Sequence, residues 1–182
     1  MSENANAATY FVDRQASGQN ADKAVFIEAG GDGRQITYAD FATESGKMAE
    51  LFERHGIRAE DRVAMLVLDQ IEFPVIFWGS LKCGIVPVPV NTLLATEIYA
   101  AILQDSRARA LFVSSELLAV IQPALKDNPH LQAIFVIGGA EPHDYLDFES
   151  ELEGRNPRET IAASADECAF WLYSSGSTGQ PK

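Results

Sequence analysis

Cysteine is scarce. Cys83 and Cys168 are the only two in 182 residues, far apart and without a C-x-x-C pair. That argues against a disulfide framework or a thiolate metal site, and both read as reduced, buried thiols. His55, His130 and His143 are isolated and share no metal-ligand spacing, so no metal site is expected and surface or capping roles fit them. Positive charge is also in short supply, with 14 Lys+Arg against 26 Asp+Glu and a net charge of -12. Such a field repels nucleic acid and anionic membranes, and neither is an expected partner. It does not exclude an anionic ligand gripped at short range by amides and one or two cations. Long apolar runs are missing too. Phe73–Leu81 and Ile85–Val90 are interrupted by Pro or Gly and are too short to span a bilayer. Met1–Asn6 is polar, without the basic and apolar regions of a secretion signal. The expected location is cytoplasmic.

What is present suits a globular domain. Hydrophobic residues make up 47% and charged residues 22%, and the length allows one sizeable core. Residues 1–22 read as an irregular lead-in. Lys23–Ala29 and Arg34–Tyr38 read as two strands joined by a turn at Gly30-Gly31-Asp32-Gly33, where glycine supplies positive φ. A strand rather than a helix follows these glycines, so a hairpin explains them better than a nucleotide loop does.

Strands and helices then alternate. Thr37 and Asp40 form a T-x-x-D start signal for a helix to Arg54, with Phe41, Met48 and Phe52 on one face and Gly56 as its C-terminal cap. Strands are expected at about 61–68, 85–88, 109–113, 131–137 and 167–173. Helices are expected over Ile71–Cys83, with Pro74 in the first turn, over Thr96–Ser106, from Ser114 or Ser115 to about Leu125, and over Asp144–Leu152. Phe73, Phe77 and Trp78 fall at helical spacing and read as core. The acidic run Asp144–Glu153 reads as an exposed helix face. Glu153–Asp166 is the most linker-like stretch, and a surface loop explains it equally well. The pattern gives an α/β fold: a mostly parallel sheet with helices on both faces, preceded by a β-hairpin.

The chemistry lies in the last segment, Tyr173-Ser174-Ser175-Gly176-Ser177-Thr178-Gly179-Gln180-Pro181-Lys182. Gly176 and Gly179 let backbone approach a ligand and expose successive N–H groups. Ser174, Ser175, Ser177 and Thr178 add hydroxyl donors, and Lys182 adds a point charge. Together these suit the oxygens of a polyphosphate. At the end of a sheet strand, such a loop would stand where open α/β folds place ligands. It is neither a Walker A loop nor a G-x-G-x-x-G fingerprint.

The ten residues Tyr173–Lys182 resemble the signature loop of the adenylate-forming superfamily, which comprises acyl- and aryl-CoA synthetases, peptide-synthetase adenylation domains and luciferases. They match its pattern [YFL]-[ST]-S-G-[ST]-T-G-x-P-K at every position. Ile36–Phe41 resembles the family's T-Y-x-[ED]-[LF] segment, and Leu81–Asn91 its L-K-x-G-x-x-x-x-P-x-[ND] segment. Asn6–Arg14, Pro89–Leu94, Asp105–Ala110 and Phe170–Tyr173 look most like benzoate-CoA ligases. The resemblance implies that ATP and Mg²⁺ activate a small aryl carboxylate as an adenylate, which coenzyme A then captures. It implies that Ser174, Ser175, Gly176, Ser177, Thr178, Gly179 and Lys182 contact the phosphates. It also implies that residues 1–182 are the N-terminal part of a large AMP-binding domain. The rest of that domain, the acyl pocket and a small C-terminal domain with its catalytic lysine lie outside this sequence. No complete catalytic set is therefore expected here, and the 182 residues alone should be inactive. Two other readings stay open. One is a fatty acyl-CoA ligase or amino-acid adenylation domain of the same superfamily. The other is a non-catalytic α/β binding module.

Overall fold

The computed structural model describes residues 4–29, 33–126, 128–139 and 145–174. Strands β1 (Ala24–Ile27) and β2 (Gln35–Thr37) form the antiparallel hairpin. Its turn residues Gly30–Asp32 lie outside the described residues, and Gly33 has φ +63°. The main sheet contains β3 (Arg62–Leu66), β4 (Val86–Pro89), β5 (Ala110–Ser114), β6 (Ala133–Ile137) and β7 (Leu146–Asp147). All neighbours are parallel, in the order β4-β3-β5-β6-β7.

Alternation along the strands sorts the core into two layers. Val63, Met65, Phe112, Phe135 and Ile137 join one cluster with Met48 and Phe52 of α2 (Tyr38–Arg54) and Val75 and Ile76 of α3 (Glu72–Lys82). Ala64, Leu66, Leu111, Val113 and Val136 join the other, with Tyr99 and Leu103 of α4 (Thr96–Ser106) and Ile121 of α5 (Ser115–Ile121). Helices therefore cover both faces, as the apolar strands require. Phe112 stacks on Phe135 at 4.7 Å, and Phe52 and Phe148 meet Phe112 edge-on. Burying each such ring is worth about 2–3 kcal/mol. An exposed ion pair such as Arg158–Glu53 contributes about 1 kcal/mol at most. The layers, not surface charge, hold the fold.

Local signals behave as the chain suggests at α2. The Thr37 hydroxyl accepts from the Asp40 N–H at 3.1 Å, and Gly56 after the helix has φ +69°. Several expectations need correction. The lead-in is helical, with a π-helix Thr9–Asp13 running into α1 (Arg14–Ala16). It is fastened by Asn6, whose buried amide donates to the Leu81 and Ile161 carbonyls at 2.8 and 3.0 Å. Ser114 precedes α5, but its hydroxyl accepts from the Leu68 N–H at 3.0 Å instead of capping. It thus ties the carboxyl ends of β3 and β5 together. Helix α5 tightens into a 3-10 turn at Gln122–Leu125, where Pro123 removes a donor. The expected helix 144–152 begins later, as α6 (Phe148–Leu152), after the short strand β7. Asp144 lies outside the described residues. Phe148 and Leu152 are buried, so this acidic helix is only half exposed.

The stretch 153–166 is no linker. Asn156 N–H donates to Glu50, Arg158 N–H to the Gly46 carbonyl and Ile161 N–H to the Lys82 carbonyl. It lies as a strap across α2 and the end of α3. No helix of the described residues is long and apolar enough to cross a membrane.

Candidate functional site

Residues 167–173 do not form the expected strand. The reason lies in the neighbouring edge. Val86 and Val90 donate their N–H groups to Asp61 and Met65, along β3, so the alternate residues Pro87 and Pro89 face outward. Proline has no N–H, and a ladder on that side lacks donors. One bond survives, from Trp171 N–H to the Pro87 carbonyl at 3.1 Å.

Side chains make the remaining contacts. The Trp171 ring lies 5.7 Å from the Arg62 guanidinium. Arg62 is itself held by the Ser106 and Glu60 carbonyls at 2.8 and 2.9 Å. The Trp171 indole N–H donates to Cys168 Sγ at 3.1 Å. The Tyr173 hydroxyl donates to Asp105 Oδ2 at 2.6 Å. Burial raises the Tyr173 phenol above its ordinary range, and the bond to and charge of Asp105 raise it further. These contacts lie toward the amino ends of β3 and β4, not at the carboxyl end of a paired strand.

Of the expected phosphate contacts, Ser174 is placed, exposed to solvent and one residue beyond Tyr173. Ser175, Gly176, Ser177, Thr178, Gly179 and Lys182 lie outside the described residues. Spacing gave no sign of Asp105 and Arg62, the partners of the segment that leads to them. The one available signal was an acidic side chain in the last turn of a helix, an unfavourable place for it.

The cysteines, histidines and other aromatics take the following places. Cys168 is exposed rather than buried, because its segment lacks a sheet partner, and Cys83 is half-buried. Burial pushes the Cys83 thiol up to about 12. His55 caps α2 and meets Glu151 at 3.1 Å, His130 lies in a loop, and His143 is outside the described residues. Phe73, Phe77 and Trp78 pack against the core but also line an open apolar groove of about 560 Å³ with Phe26 and Ile27. Among the described residues no cluster of three or more His, Cys, Asp or Glu could hold a metal ion.

The chain is 39% identical over 181 residues to a 4-hydroxybenzoate–CoA/benzoate–CoA ligase of Rhodopseudomonas palustris, covering 97% of this chain and 32% of the relative. It is 36% identical to a benzoate–CoA ligase of Thauera aromatica, covering 99% of this chain and 33% of that one. Its backbone superposes with a TM-score of 0.87 on an anthranilate CoA ligase crystallised with anthranoyl-AMP. That match has 28% identity and covers 100% of this chain and 34% of the other. The chain thus spans about a third of the length of the curated relatives it matches. The family described as AMP-binding enzyme matches residues 12–182, from the lead-in helix through the whole glycine- and serine-rich segment, and the chain belongs to that family.

Proposed function

We propose that this chain is the N-terminal part of the large domain of an ATP-dependent aryl-CoA ligase, and that it carries the loop that binds the ATP phosphates. The observation that carries this reading is the complete motif Tyr173–Lys182 in a chain 39% identical to a benzoate-activating CoA ligase. The reaction is two-step. The carboxylate of benzoate or a lightly substituted benzoate attacks the α-phosphate of ATP, releasing pyrophosphate and leaving an acyl-adenylate. The thiol of coenzyme A then attacks the activated carbonyl and releases AMP. Mg²⁺ enters with the triphosphate as part of the substrate.

In this reading the loop stabilises charge as it gathers on the departing pyrophosphate. Ser174, Ser177 and Thr178 donate hydroxyl hydrogen bonds. Gly176 and Gly179 admit the phosphates to the backbone N–H groups, Ser175 shapes the turn, and Lys182 supplies charge. Substrate class rests on kinship with ligases named for benzoate and 4-hydroxybenzoate. Relatives that act on crotonobetaine and carnitine are 34% identical, which makes the acyl group the point to test.

The test is kcat/KM for thioester formation by the full-length protein across aryl, short aliphatic, long-chain and amino acids, with ATP, Mg²⁺ and CoA. Aryl acids should lead. A tenfold preference for any other class, about 1.4 kcal/mol in transition-state binding, would overturn the aryl assignment and leave the ligase assignment standing.

A further inference from the structure

We propose that Asp105 is a positioning residue for the phosphate loop, holding the Tyr173 side chain at the point where the loop departs. This rests on the phosphate-binding reading above and adds a residue outside the motif to it. Asp105 sits in the last turn of α4. Carbonyl groups end the helix there and repel a carboxylate. Nothing in the helix itself favours an acid at that place. The tertiary structure does: the Tyr173 hydroxyl donates to Oδ2 at 2.6 Å, a charge-assisted bond of the stronger class.

A second hold lies two residues back. The Trp171 ring rests over Arg62, and its backbone N–H donates to the Pro87 carbonyl. Arg62 is not a loose surface charge. Its Nε donates to the Ser106 carbonyl at 2.8 Å, one residue beyond Asp105, and its own carbonyl accepts from the Arg109 N–H at 2.8 Å. The corner of α4, β3 and β5 is therefore one tied unit. Trp171 and Tyr173 both dock on it, while Leu172 between them is exposed. Two fixed points two residues apart set both the place and the direction of the backbone entering Ser174. A loop that acts by aiming donors at a polyphosphate loses rate when its root shifts by even about an ångström.

The test is ATP–pyrophosphate exchange by the full-length protein with benzoate. Asp105→Ala and Tyr173→Phe should each raise the KM for ATP about fivefold, the scale of one partly exposed charged hydrogen bond. The KM for benzoate and the melting temperature should stay unchanged. The double variant should be no worse than either single one, and Asp105→Asn, which keeps an acceptor oxygen, should fall between. Tyr173→Phe removes only a hydroxyl and guards against a folding defect in the other variants. Single effects that multiply in the double variant, or an unchanged KM for ATP, would overturn the proposal. Lys182→Ala separates the two levels. If it slows exchange while Asp105→Ala does nothing, the positioning role alone fails. If it leaves exchange untouched, the phosphate reading fails and this proposal with it.

Discussion

Gly79 of α3 lies directly against Met48 of α2. A Cβ on Gly79 would stand 2.7 Å from Met48 Cβ and 2.8 Å from the Ser45 carbonyl oxygen. Both residues are buried, and the Met48 side chain packs directly on the α3 backbone because Gly79 has none of its own. Gly79→Ala gains about 1 kcal/mol of helix propensity. It also forces a rigid backbone neighbour aside, a strain of about 1–3 kcal/mol or more. We expect a net loss of stability and a lower urea midpoint. An unchanged or higher midpoint would mean that α2 and α3 separate freely.

Lys82 is a buried ammonium with defined partners. Its Nζ donates to Asp13 at 2.6 Å and to the Ala42 carbonyl at 3.2 Å, and Thr160 donates to the other Asp13 oxygen. Removing the carboxylate leaves a buried ammonium without its counter-ion, whereas replacing the lysine by a thioether of similar length leaves the unpaired charge on Asp13, which is partly exposed and still accepts from Thr160. Asp13→Ala should therefore destabilise by about 3 kcal/mol and Lys82→Met by clearly less. Equal losses in chemical denaturation would contradict this account of the pair.

Acid should loosen α6. Burial pushes the Glu151 carboxyl up, but the His55 hydrogen bond and the charges of His55, Arg54 and Arg155 outweigh it and leave the group below its ordinary 4.5. A depressed carboxylate stabilises the fold above its unfolded value, and that contribution is lost as pH falls through the folded value. Glu151→Gln should thus be less stable than the parent at pH 7, and the difference should shrink below about pH 4.5. A gap that stays constant down to pH 3 would exclude the linkage.

The two thiols should differ in reactivity. Burial holds Cys83 near 12, so almost no thiolate forms at pH 8. Cys168 is exposed. Iodoacetamide followed by peptide mass mapping should label Cys168 in the native protein and Cys83 only after unfolding. Equal native labelling would show that the Cys83 packing opens readily.

The layered sheet was legible because its signals are local. Apolar strand segments, the Thr37 cap and glycines after helices each report on a few residues, and those elements appear within a few positions of expectation. What escaped depends on contacts distant in sequence. Asn6 orders the lead-in through carbonyls more than seventy residues away. The segment Glu167–Tyr173 has a strand's composition, but its fate is decided by prolines at 87 and 89. Ser114 has a cap's position, yet Leu68 engages its hydroxyl. The motif Tyr173–Lys182 is legible as a family signature, whereas Asp105 and Arg62 acquire their contacts with Tyr173 and Trp171 only through the fold.

The outward row of prolines on β4 also bears on self-association. An open sheet edge invites a strand from another molecule, and chains that add strands in this way polymerise without limit. Here the outer side of Val86–Pro89 offers carbonyls but no amide hydrogens at 87 and 89. A foreign strand finds half of its bonds missing. This border of the sheet therefore guards itself against fibrous stacking, even at the high local concentrations reached while a chain is being made.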